Sequence, residues 1–342
     1  MSFLKRTFYL QLLCLALLLP ACGGRTAPEP TVTPPEAAPS ETAAPEGAPL
    51  RIVATIFPEY DWVRQILGDR ASDAELTLLL DSGTDLHSYQ PTADDMVKLS
   101  ACDLFLYVGG ESDAWVEDAL AEAVNPNMQI LCLMDALGGA VKEEELVEGM
   151  EAEEEGEGEE EEIEYDEHVW LSLRNAQVLC AAIADRLCQL DPAHRETYAA
   201  NAAAYIDQLR ALDREYQSAA EGAQVKTVLF GDRFPFRYLV DDYGLSYYAA
   251  FVGCSAETEA SFETVIFLAN KVDELSLPAV LTIESGDGRI ARTIVDNTAA
   301  KTAQILQMDS MQSTTAQDVA AGETYLSAMV RNLDVLRQAL GE

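Results

Sequence analysis

The sequence predicts an α/β protein built on two parallel, doubly wound sheets. Two sets of four short apolar runs alternate with amphipathic stretches, and one long helical stretch lies between the sets. In the first set Arg51–Phe57 reads as a strand. Tyr60–Leu67 then begins a helix that places Tyr60, Val63, Ile66 and Leu67 on one face. Leu76–Leu80, Leu104–Val108 and Ile130–Leu133 supply the remaining strands of that set. The second set runs Thr227–Phe230, Tyr247–Phe251, Val280–Ile283 and Ile305–Met308. No close sequence repeat relates the halves. Between them Asp191 suits a helix N-cap and Pro192 a first helical position. Tyr198, Ala202, Tyr205, Leu209, Leu212 and Tyr216 follow at spacings of four and three. That stripe fits either a surface helix of one lobe or a rigid strut joining two.

The N-terminus bears on where the chain works. Lys5 and Arg6 precede an apolar run, Phe8–Leu19, too short to span a bilayer with ease. It ends in Leu18-Leu19-Pro20-Ala21-Cys22-Gly23, which resembles a bacterial lipoprotein signal: residues 1–21 are the signal peptide and the Cys22 thiol receives the lipid. Residues 22–49 are expected to form a disordered tether, because residues 23–49 hold seven of the chain's 14 prolines among Ala, Thr and Glu. The folded part is then held at the outer face of a cell membrane.

The formal charge is −37, from 22 basic and 59 acidic residues, which disfavours nucleic acid and anionic lipid surfaces as partners and is compatible with cations. Much of it is local, since residues 143–167 hold 16 acidic residues in 25. This insert reads as a solvated loop, or alternatively as a weak collector of divalent cations. With Cys14 removed and Cys22 lipidated, five cysteines remain at 102, 132, 180, 188 and 254. They show no CxxC spacing and five cannot all pair, so most read as small buried hydrophobes.

Histidine is the informative residue type, with three in 342 residues. His87 sits in the polar loop Gly83–Thr92, and His168 in Asp166-Glu167-His168-Val169-Trp170. Neutral imidazole is the commonest ligand for transition metals, so the pair suggests a metal site. His194, at the start of the long helix, reads as exposed. In open parallel sheets ligands bind beyond the carboxyl ends of strands. His87 follows the second predicted strand, Asp232 the fifth, Glu284 the seventh and Asp309 the eighth, and His168 opens the helix after the acidic insert. These groups can converge on a cleft between lobes.

Ordered segments over nearly 280 residues carry a family resemblance. They are Ala54–Pro58 with Gly68-Asp69, Gly83–Thr92, Ala101–Phe105 with Tyr107, His168–Trp170, Phe230–Phe234 with Asp242–Leu245, Glu284-Ser285, Met308–Ser310, and Gly322–Asn332. The chain resembles the solute-binding lipoprotein of a zinc or manganese ABC importer. The resemblance implies two lobes, each a four-stranded parallel sheet flanked by helices, joined by one long helix. The lobes would be residues 50–190 and 222–342, with 191–221 connecting them. It implies Zn2+ or Mn2+ as cargo, and an ABC permease with its ATPase subunit as partner. Three ligand roles carry over onto His87, His168 and Asp309. The fourth falls on Gly231, which has no side chain, leaving Asp232 as the nearest substitute and Glu284 as the alternative. Nothing resembles a phosphate-binding loop or a nucleophile with its base. The competing expectations are a secreted zinc-dependent hydrolase and a receptor for a chelated metal or corrinoid.

Overall fold

The computed structural model describes residues 49–150, 164–255 and 259–342. The lipoprotein signal, Cys22, tether residues 22–48 and residues 151–163 of the acidic insert lie outside the described residues. Among the described residues no helix is long and apolar enough to cross a membrane.

Among the described residues eight strands form two sheets. β1 (Arg51–Ala54), β2 (Glu75–Leu78), β3 (Leu104–Tyr107) and β4 (Gln129–Cys132) pair in the order β2-β1-β3-β4, and every pairing is parallel. β5 (Thr227–Phe234), β6 (Ser246–Val252), β7 (Ala279–Ile283) and β8 (Gln304–Met308) repeat the pattern as β6-β5-β7-β8, again all parallel. The helices of the first half are α1 (Phe57–Leu67), α2 (Ala93–Ala101), α3 (Trp115–Ala121), α4 (Leu133–Leu137) and α5 (Leu173–Leu190). α6 (Arg195–Gly222) follows, and then α7 (Arg237–Tyr243), α8 (Phe262–Leu275), α9 (Arg289–Asn297), α10 (Ala316–Ala320) and α11 (Tyr325–Ala339).

Most strand limits lie within two residues of the sequence expectation, and three boundary differences have a physical cause. β1 ends at Ala54 and Phe57 already opens α1, because Pro58 fits the first helical turn, where its missing N–H costs no bond. The long helix starts at Arg195, since Pro192–His194 is a 3-10 turn. Asp191 spends its carboxylate on the His194 ring and the Tyr198 hydroxyl, both at 2.7 Å, so it does not cap the helix. β5 continues to Phe234 through a register shift between Phe230 and Arg233, so Asp232 lies inside a strand and not beyond its end.

α6 has 28 residues and is about 42 Å long at 1.5 Å per residue. Its buried face is the predicted stripe, Tyr198 through Tyr216, extended by Ala219 and Ala220. It packs against α1, α5 and α11, elements of both halves, and so serves as the strut. Ala48–Glu342 is one compact unit, and one hydrophobic core runs from Ile52 and Trp62 through the α6 stripe to Phe230 and Leu333. A smaller core between β5, β6, α8 and α9 is confined to the second half. Buried hydrogen bonds reinforce the junction. Trp170 Nε1 donates to the Ser310 carbonyl at 2.9 Å, Tyr325 Oη to the Trp170 carbonyl at 2.7 Å, and the Tyr325 amide to Asp61 at 2.9 Å.

Candidate metal centre

His87 is carried by a 3-10 turn, Leu86–Ser88, beyond β2. Leu86 is buried and anchors the turn, and the Asp85 carboxylate accepts the His87 amide at 3.1 Å. His168 precedes the turn Val169–Leu171, whose three side chains are all buried in the core. The two imidazoles meet, with Nε2 to Nε2 3.1 Å. His87 Nδ1 lies 2.7 Å from Ser112 Oγ and 3.5 Å from Glu167 Oε2. Asp166 Oδ1 accepts the His168 amide at 2.8 Å and lies 3.0 Å from His168 Nδ1. Each ring therefore has a partner at Nδ1 and turns its Nε2 toward the other ring.

The electrostatics separate the two rings. Burial, then the neighbouring His168 and Arg233, push the His87 imidazole down to about 3. Burial also opposes charge on His168, but Asp166, with Glu167 and Asp85, outweighs it and raises that imidazole above its ordinary value. A proton competing with a cation here resides on His168, and His87 stays neutral and ready to ligate.

The carboxylates named from the sequence are held elsewhere. Asp232 Oδ1 accepts the Arg233 amide at 2.9 Å and its Oδ2 the Ile283 amide at 3.3 Å, bracing β5 against β7. Glu284 gathers the loop after β8: it accepts Ser310 N at 2.7 Å, Ser310 Oγ at 2.8 Å, and Gln312 N and Ser313 Oγ at 3.2 Å. Asp309 accepts the Met311 amide at 2.9 Å and pairs with Arg331 at 3.1 Å. Gly231 marks a close approach, because a Cβ there would stand 2.5 Å from the Ala291 Cα of α9.

Among the described residues, the group of three His, Cys, Asp or Glu side chains whose ligand atoms all lie within 4.8 Å of one another is His87, His168 and Cys254. Cys254 follows β6, and its amide donates to Glu144 Oε1 at 3.4 Å. Burial and the Glu144, Asp166 and Glu167 carboxylates push its thiol well up. Glu144 belongs to the neck of the acidic insert, where Glu144 N donates to the Glu164 carbonyl and Asp166 N to the Lys142 carbonyl, both at 2.9 Å. The ends of the insert are therefore joined by a short antiparallel bridge, Glu143 opposite Tyr165. Arg233 reaches across the cleft to Asp85 at 2.6 Å and forms part of the wall of a cavity of about 390 Å3 that neither imidazole lines.

Two α/β lobes fixed on one strut, with a buried imidazole pair at their junction, define a two-lobed binding protein. The family model described as zinc-uptake complex component A, periplasmic, matches residues 52–339, and the chain belongs to that family. The chain is 33% identical to the zinc-binding lipoprotein AdcA of Streptococcus pneumoniae over 293 residues, 84% of this chain and 55% of that protein. It thus spans about half the length of the AdcA relatives it matches. It is 30% identical to the high-affinity zinc uptake system protein ZnuA of Bacillus subtilis over 302 residues, 87% of this chain and 90% of that protein. The crystal structure of the Zn(II)-bound ZnuA-like domain of S. pneumoniae AdcA aligns with a TM-score of 0.66 at 29% identity. That alignment covers 86% of this chain and all of that domain.

Proposed function

We propose that this protein captures Zn2+ outside the membrane, with His87 and His168 as ligands, and passes it to an ABC permease driven by its ATPase subunit. The observation that carries the reading is the 3.1 Å approach of the two Nε2 atoms, each ring being held from behind at Nδ1. Two imidazoles aimed at one point, the proton on His168 giving way to the metal, make a site for a borderline cation. The relatives' names support zinc over manganese as the cargo. A lipid on Cys22 would keep the binding lobes at the outer face of the membrane, near the permease.

Zinc titration of the wild type and of His87→Ala and His168→Ala tests this. Each substitution removes a ligand from a preformed pair and is expected to cost more than about a hundredfold in affinity, since even the partners behind metal ligands are worth 10–100-fold. Either variant binding zinc as tightly as wild type would remove that histidine from the site.

A further inference from the structure

We propose that Cys254 is the third protein ligand of this site, so that the second lobe contributes a thiolate to a cation otherwise held by His87 and His168. The inference deepens the proposed zinc capture and rests on it. The three ligand atoms already lie within 4.8 Å of one another. A tetrahedral Zn2+ with two nitrogens and one sulfur has ligand–ligand edges of about 3.3–3.6 Å, given bonds of about 2.0–2.1 and 2.3 Å. Contraction of this group by roughly an ångström would close the shell.

The backbone is built for that approach. A Cβ on Gly253 would stand 2.9 Å from His168 Cε1 and 3.0 Å from the Phe234 carbonyl oxygen. Only a glycine lets the loop lie against the imidazole and deliver the next side chain to its edge. The Cys254 amide is tied to Glu144, and Asp166 holds Nδ1 of the same imidazole. Asp232 and Glu284 accept backbone amides and hydroxyls, and Asp309 pairs with Arg331. On coordination the Cys254 thiol proton leaves to water. Sulfur also sets selectivity, because thiolate favours Zn2+ over the oxygen-seeking Mn2+.

Co2+ loading of the reduced full-length chain is the test. A cobalt-bound thiolate gives a near-ultraviolet charge-transfer band that imidazole and carboxylate ligands do not. The band is expected in the wild type, is expected to vanish when Zn2+ is added, and is expected to be missing from Cys254→Ala. That variant should bind Zn2+ more than about a hundredfold more weakly while retaining residual binding by the histidines. Tight Co2+ and Zn2+ binding by the wild type without the band, and with Cys254→Ala unimpaired, would overturn the thiolate ligand and leave zinc capture standing. Wild-type protein that binds neither metal would overturn the underlying reading as well.

Discussion

Asp166 decides which nitrogen of His168 can face a metal. Its Oδ1 takes both the backbone amide and Nδ1 of the same residue, which places the ring proton on Nδ1 and leaves the Nε2 lone pair free. Asp166→Asn replaces an obligate acceptor by a group that can present an amide N–H to Nδ1, favouring the wrong tautomer. Zinc affinity is expected to fall about 10–100-fold with the fold intact, as read by calorimetric titration beside circular dichroism. Undiminished affinity would show that the tautomer is fixed by other contacts. The histidines were legible in the sequence because they are rare and sit in polar loops. Asp166 was in view but lost among its acidic neighbours. Cys254 gave no spacing signal, since a single cysteine after a strand reads as packing. Asp309 entered through the family resemblance, with Asp232 as the substitute for the ligand that falls on Gly231 and Glu284 as the alternative. Neither resemblance nor order along the chain reveals that β5 continues past Asp232, that amides and hydroxyls engage Glu284, or that Asp309 pairs with Arg331.

The corner between β1 and α1 contains a second buried acid with a measurable consequence. Glu59 Oε2 accepts Thr55 N at 2.9 Å, Thr55 Oγ1 at 3.1 Å and Ile56 N at 3.3 Å, while the buried Oε1 has no partner among the described residues. Burial, then the nearby Asp113, raise its pKa from 4.5 to about 8. The folded protein therefore keeps a proton that the unfolded chain releases. The stabilisation is complete below pH 4.5, and it declines with rising pH until it is lost at about pH 8. Glu59→Gln keeps the three accepted bonds and cannot ionise. Its melting temperature is expected to fall less steeply than that of wild type between those limits, measured on metal-free protein. Parallel pH profiles would show that Glu59 titrates normally. Element identity was more legible than element limits. All eight strands and the α6 stripe follow from periodicity, but the starts of α1 and α6 depend on whether a proline or an acid finds a local partner, which periodicity does not encode.

At the scale of the whole molecule, the shared core makes the two lobes one folding unit. Residues from both sheets and from α6 belong to a single cluster, and Trp170, Tyr325 and Tyr216 cross the junction with buried hydrogen bonds. Far-ultraviolet circular dichroism and tryptophan fluorescence are expected to report one coincident thermal transition. Zinc in hundredfold excess over its dissociation constant should stabilise the fold by about 2.7 kcal/mol. Two separated transitions would mean that each lobe melts alone.

The strut bears on kinetics as well as stability. Lobes hinged on a flexible linker can swing apart and expose a bound ion in one step. Here about 42 Å of helix is packed against both halves, and that path would require breaking the core itself. The contacts that border the imidazoles are short: the turn carrying His87, Gly253 after β6, and the Arg233–Asp85 pair that spans the cleft. For a metal seated there, departure is set by how quickly its bonds are exchanged one at a time for those of a competitor. A receiver would gain more from offering ligands of its own than from prying the lobes apart.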